Sequence, residues 1–163
     1  MKNILYTIIL SLLFSFSVFA DFEVGIDAYK QGDYAIALKE FKNLAERGDA
    51  AGQTGLGLMY HDGKGVTQDY EEAAKWFRLA ADQGYARAQY NLGYMYQKGL
   101  GVTFNPVISL MWINIAAINK YEKAKETLSY IISEMTSIET GKNIAHANRL
   151  AHQCIKNNYK DCS

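Results

Sequence analysis

Leu56-Gly57-Leu58-Met59-Tyr60-His61-Asp62-Gly63-Lys64-Gly65-Val66 returns 36 positions later, without a gap, as Leu92-Gly93-Tyr94-Met95-Tyr96-Gln97-Lys98-Gly99-Leu100-Gly101-Val102. Self-similarity at a fixed period is the sequence mark of a repeat architecture. The same step carries Asp69 to Asn105, Trp76 to Trp112 and Ala80-Ala81 to Ala116-Ala117. Taken backwards, it places Tyr70 on Tyr34, Ala73 on Ala37, Phe77 on Phe41 and Gly84 on Gly48. Three copies are therefore expected, over about 22–49, 50–84 and 85–120. Taken forwards, Ala88 falls on Ala124 and Leu92 on Leu128, and the pattern then dissolves into an ending over 121–163.

Each copy reads as two helices joined by a glycine loop. Leu56, Gly57 and Tyr60 share one helical face, and Gly57 has no side chain to hold a neighbouring helix away. Gly63 and Gly65 supply the backbone freedom that stops the first helix and turns the chain. Asp69 is suited to cap the second helix, with Glu72 three residues on completing a capping box. In the next copy Asn105-Pro106 does the same, proline standing where its missing N–H is not needed. Ala73, Trp76, Phe77 and Ala80 form the apolar stripe of the second helix, which Gly84 ends. In the ending, Thr136 and Glu139 are expected to form a capping box before a last amphipathic helix.

Composition agrees. With 163 residues, 49% of them hydrophobic, the chain is long enough for one ordinary domain with its own core. A single proline and no sustained apolar–polar alternation point to helices and away from a sheet. Seventeen basic against seventeen acidic side chains, with no local basic block, leave no attraction for nucleic acid or an anionic membrane surface.

Residues 1–20 read as a leader rather than as part of the fold. Met1-Lys2-Asn3 is positively charged, Ile4 to Phe16 is apolar, and Val18-Phe19-Ala20 carries small residues where a signal peptidase reads them. Cleavage after Ala20 predicts a mature start at Asp21 and a periplasmic or secreted bacterial protein without stable membrane insertion. A retained anchor is the competing reading, since a spanning helix can be about 17 residues long. Export makes Cys154 and Cys162 a disulfide pair before anything else. Closing so short a loop restricts the unfolded chain by about 2–3 kcal/mol. The spacing is not Cys-x-x-Cys and no histidine stands at ligand spacing, so a redox or metal role is not favoured.

No catalytic grouping emerges. The glycine loops lack the Gly-x-x-x-x-Gly-Lys-Ser/Thr of a phosphate cradle, and the lysine of Gly63-Lys64-Gly65 is replaced by Leu100 in the next copy. His146 and His152 are six apart and face different ways, unlike a metal pair four apart. Neither a nucleophile elbow nor a Cys/His signature surrounds any serine or cysteine. No cofactor, metal or enzymatic activity is expected.

Ala88, Leu92-Gly93, Tyr96, Gly99-Leu100-Gly101-Val102 and Ala116-Ala117, together with Trp76, Ala80-Ala81 and Gly84, resemble the Sel-one-like repeat (SLR) proteins, a branch of the tetratricopeptide-like (TPR) solenoids. The resemblance covers Ala51 to Lys120. Over Phe22 to Gly48 the Gly-x-Gly-Val loop is missing, and Gly32-Asp33-Tyr34 with Ala37 and Phe41 looks more like a tetratricopeptide repeat. The resemblance implies an all-α fold: a right-handed α-solenoid of antiparallel helix pairs with a C-terminal capping helix over part of 121–163. It also implies that the first helix of each pair lines the concave face. The candidate partner-binding row is then Leu58, His61, Asp62, Arg87, Tyr90, Tyr94, Gln97 and Lys98, flanked by Ile26, Lys30 and Thr54. Tyr90 and Tyr94, one turn apart, are either interface anchors or part of the core between repeats.

The function expected is an exported scaffold holding a peptide or protein of the cell envelope. A cysteine-rich secreted branch of the family is linked to β-lactam binding and hydrolysis. It carries a cysteine pair in each repeat, whereas this chain has one pair outside the repeats. A secreted factor that meets a host protein is a third reading.

Overall fold

The structure is a computed structural model that describes residues 21–133, 138–160 and 162. The expected leader over 1–20 and the expected Thr136–Glu139 capping box lie outside the described residues. Among the described residues every regular element is helical. After α1 (21–31) come α2 (Tyr34–Glu46), α3 (Ala50–Asp62), α4 (Tyr70–Ala81), α5 (Ala86–Lys98), α6 (Pro106–Ile118), α7 (Glu122–Ser133) and α8 (Ile138–Lys156). Sequential helices pack from α2 through α7, and α8 returns onto α6. The result is an SLR-fold α-solenoid.

The repeat punctuation is built as its chemistry dictates. Gly63 and Gly99 both take left-handed conformations, φ 66° and 65°, and their N–H groups donate to the carbonyls of Met59 and Met95. Those are carbonyls the helix itself leaves without a partner. Asp69 Oδ1 accepts from Glu71 N at 2.9 Å and Glu72 N at 3.0 Å. Asn105 Oδ1 accepts from Val107 N and Ile108 N, both at 3.1 Å.

The other half of the expected capping box is not made. The Asp69 N–H donates to the Tyr60 carbonyl at 3.0 Å, as the Asn105 N–H donates to Tyr96 O at 3.1 Å. Glu72 instead meets Lys75 Nζ at 2.5 Å. The fold gives that backbone donor a carbonyl on the preceding helix, so the carboxylate has no donor left to serve.

Close helix approach at the glycines follows from the side chains that fill them. A Cβ on Gly57 would stand 2.7 Å from the Phe77 ring. On Gly93 it would stand 2.8 Å from the Ile113 side chain and 3.0 Å from the Ser109 carbonyl oxygen. Phe77 and Ile113 are repeat equivalents, each 1% exposed. On Gly101 the same Cβ would run into the Tyr70 backbone, so the second loop glycine seats one repeat's turn on the start of the previous repeat's α4. Gly65 stands in the same relation to Tyr34, which ties the N-terminal pair to the stack although that pair lacks a glycine loop of its own.

A second repeated device is polar. Gln83 Nε2 donates to Gln53 Oε1 at 2.8 Å, and one repeat later Asn119 Nδ2 donates to Gln89 Oε1 at 2.9 Å. Gln53 and Gln89 are 5% and 0% exposed, so these bonds satisfy amides that would otherwise be buried at a cost of about 1–3 kcal/mol each.

The last described residues pack back onto α4, α5 and α6. Cys154 and Cys162 form the disulfide, Cα atoms 5.1 Å apart, and both are buried among α4, α5, α6 and α8 residues. Arg78 Nη1 donates to the Cys162 carbonyl at 3.2 Å, and its guanidinium lies 5.1 Å from the centre of the Trp112 ring. Tyr159 lies against Gly84 and reaches Asn119. The tail thus covers the α4–α6 side, leaving α1, α3, α5 and α7 to form the opposite face.

Candidate functional site

Along that face, contacts run from helix to helix. The Tyr29 hydroxyl of α1 donates to Asp62 Oδ2 of α3 at 2.5 Å. His61 lies edge-on to Tyr94 of α5 at 6.3 Å, and Tyr90 packs on Tyr121 at 5.3 Å and lies 3.4 Å, hydroxyl to hydroxyl, from Thr127 of α7. Between α3, α5 and α7 the surface sinks into a pocket of about 320 Å³. Leu58, Phe77 and Met95 give it an apolar floor, and Tyr90 and Tyr94 form its aromatic wall. Its polar groups are His61 and Asp62 on one side, Asn91 on the second, and Lys123 on the third.

Helical spacing explains this convergence. Leu58, His61 and Asp62 fall within a turn of one another at the end of α3, while Tyr90, Asn91, Tyr94 and Met95 do so on α5. Phe77 reaches the floor because Gly57 lets α4 approach α3 closely. Asp62 is held from three directions: by Tyr29, by His61 Nδ1 at 2.7 Å, and by Lys64 Nζ at 3.5 Å. Partial burial favours its neutral form, but these donors together outweigh that and lower its pKa. Burial, then the bond to Asp62, raises the Tyr29 pKa. Asn91 Nδ2 is buried without a hydrogen-bond partner.

Five of the residues singled out from the sequence therefore line the pocket: Leu58, His61, Asp62, Tyr90 and Tyr94. Arg87, Gln97 and Lys98 are exposed beyond its lining, with Lys98 Nζ 6.0 Å from the centre of the Tyr94 ring. Ile26 packs against the α1–α3 core, Lys30 lies 3.8 Å from Asp27, and Thr54 is buried with its hydroxyl bonded to the Ala50 carbonyl. Phe77, Asn91, Met95 and Lys123 were not foreseen. Lys123 had a signal: the 36-residue step from Arg87 lands on it.

Two stretches, 50–85 and 86–121, match the Sel1 repeat family. The chain carries two Sel1 repeats. Among solved structures it is similar to a protective antigen of uropathogenic Escherichia coli strains with an SLR fold, at 29% identity over 89% of this chain, TM-score 0.76. It is also similar to a Sel1 repeat protein from Oxalobacter formigenes, at 30% identity over 79% of this chain, TM-score 0.65. This Sel1-repeat chain spans 31% of the first and 53% of the second. No curated protein matches it. Sel1 repeats typically mediate protein–protein interaction, and the SLR fold is a scaffold fold, generally without enzymatic activity. No described helix is long and apolar enough to cross a membrane.

Proposed function

We propose that this Sel1-repeat protein is an exported adaptor that holds a segment of an envelope protein on the face formed by α1, α3, α5 and α7. The observation that carries this reading is the pocket of about 320 Å³ to which three successive first helices contribute, while the tail packs on the opposite side. Export is supported by the leader-like residues 1–20 and by a disulfide, which forms and persists in oxidising compartments. The binding residues on this reading are Leu58, His61, Asp62, Tyr90 and Tyr94, with Arg87, Gln97 and Lys98 at the rim.

A photocrosslinking side chain placed at Tyr94, and separately at the exposed Leu79 of α4, tests it in intact cells. Adducts to an envelope protein from position 94 and none from 79 are expected. Adducts equally from both, or from neither, count against the adaptor. Export is tested by fractionation with N-terminal sequencing of the mature chain, for which a start at Asp21 is expected and retention in the cytoplasm would overturn the assignment.

A further inference from the structure

We infer that the pocket between α3, α5 and α7 takes one bulky apolar side chain from an extended protein segment that carries carboxylates beside that residue. The inference rests on the adaptor reading and goes further by naming the chemistry of what is held.

Size comes first. About 320 Å³ is at the bottom of the range of roughly 300–1,000 Å³ typical of small-ligand sites, room for one large side chain and little more. The floor of Leu58, Phe77 and Met95 rewards an apolar group, and the faces of Tyr90 and Tyr94 offer it aromatic contact.

Charge decides what flanks that group. Asp62, the one carboxylate lining the pocket, already accepts from Tyr29 and His61 and faces Lys64. Little of its charge is left for an incoming cation. Lys123 Nζ lies over the Tyr90 ring at 5.4 Å from its centre, and Lys98 Nζ stands near the Tyr94 ring. Among the described residues neither lysine pairs with a carboxylate, although Lys30, Lys39, Lys42, Lys75 and Lys125 each do. Two ammonium groups thus stand, each beside a wall tyrosine, with free hydrogen-bonding capacity. Complementary charge there selects acidic neighbours on the bound segment and speeds its encounter.

The test is affinity selection from a degenerate nonapeptide library against the purified protein, followed by fluorescence anisotropy on the enriched peptides. Enrichment of Phe, Leu or Ile adjacent to Asp or Glu is expected, with binding that weakens as salt rises. The double variant Lys98→Glu/Lys123→Glu, both positions exposed and its circular dichroism unchanged, should lose at least tenfold in affinity for the acidic peptides and gain for lysine-flanked ones. Tyr94→Ala should weaken both kinds alike. Enrichment of basic-flanked peptides by the unaltered protein, or a double variant with the original preference, overturns the inference. No enrichment at all also overturns it. If the position-94 crosslinks nevertheless appear in cells, the adaptor reading survives and only the acidic-apolar assignment falls.

Discussion

The two Sel1 repeats share spacing, caps and glycines, yet the same position does different work in each. Trp76 is only partly buried, against the α1–α3 cluster, whereas its equivalent Trp112 is 0% exposed beneath the Arg78 guanidinium and the returning tail. Lys64 and Leu100 occupy one loop position. The lysine bonds the Tyr29 hydroxyl at 3.1 Å, while the leucine packs against the core under α5 and α6. Asp62 and Lys98 are likewise equivalent and opposite in charge. A repeat conserves what joins its helices and frees what faces its neighbours, so the asymmetry of the pocket arises where two nearly identical units meet.

The comparison can be broken at its deepest point first. Trp112→Ala should cost about 3–5 kcal/mol, the range for removing a fully buried aromatic side chain, and Trp76→Ala distinctly less. Equal losses in urea unfolding would show that the tail does not set the two apart. Gly93→Ala and Gly57→Ala come next. The new methyl at 93 meets a backbone carbonyl that cannot move aside, whereas at 57 it meets the edge of a ring, so about 2–3 kcal/mol is expected for the first and a smaller loss for the second. A larger loss at 57 would contradict the packing described.

Reducing the disulfide removes a constraint on a separation of eight residues, for which about 2–3 kcal/mol of destabilisation is expected. The loss should fall on α8 and on Trp112. Hydrogen exchange on α3 that rose as much as exchange on α8 would argue that the two repeats are not independent of the tail to different degrees.

The smallest effect concerns the polar cluster peculiar to the first repeat. Asp62→Asn should cost about 1 kcal/mol at neutral pH. The Asp62 pKa is lowered in the folded state, so its contribution is present above the ordinary carboxylate range and is lost as pH falls through the depressed value. The Tyr29 pKa is raised, so its contribution is present below the ordinary tyrosine value and is lost as pH rises through the elevated one. Unfolding curves should therefore show the wild type losing its advantage over Asp62→Asn in acid. An advantage unchanged at low pH would exclude the charged carboxylate as its source.

Much of the fold was legible because a repeat states its own rules twice. The glycine loops, the Asp69 and Asn105 caps and the close approach at Gly57 and Gly93 all follow from residue chemistry at matched positions. The Glu72 half of the capping box failed because a carbonyl from the preceding helix reached the same donor, which local sequence does not reveal. The Gln53–Gln83 and Gln89–Asn119 bridges were equally written in the 36-residue step, but amides in a helical run carry no mark of which neighbour they will face.

The candidate site was legible in half. Leu58, His61, Asp62, Tyr90 and Tyr94 could be chosen because the family resemblance implies that the first helix of each pair lines the binding face, and helical spacing then groups these side chains on α3 and α5. Thr54 shares that spacing and is buried, since depth depends on how closely the next helix lies. Periodicity thus determined which side chains point together and which helices pair, while the cysteine pairing followed from two cysteines in a chain read as exported. Only the packed stack decided the rest: that Lys123 arrives from α7, that Phe77 forms a floor through the gap left by Gly57, and that the tail covers α4 and α6. Those facts are set by distances between helices, and no single helix carries them in its sequence.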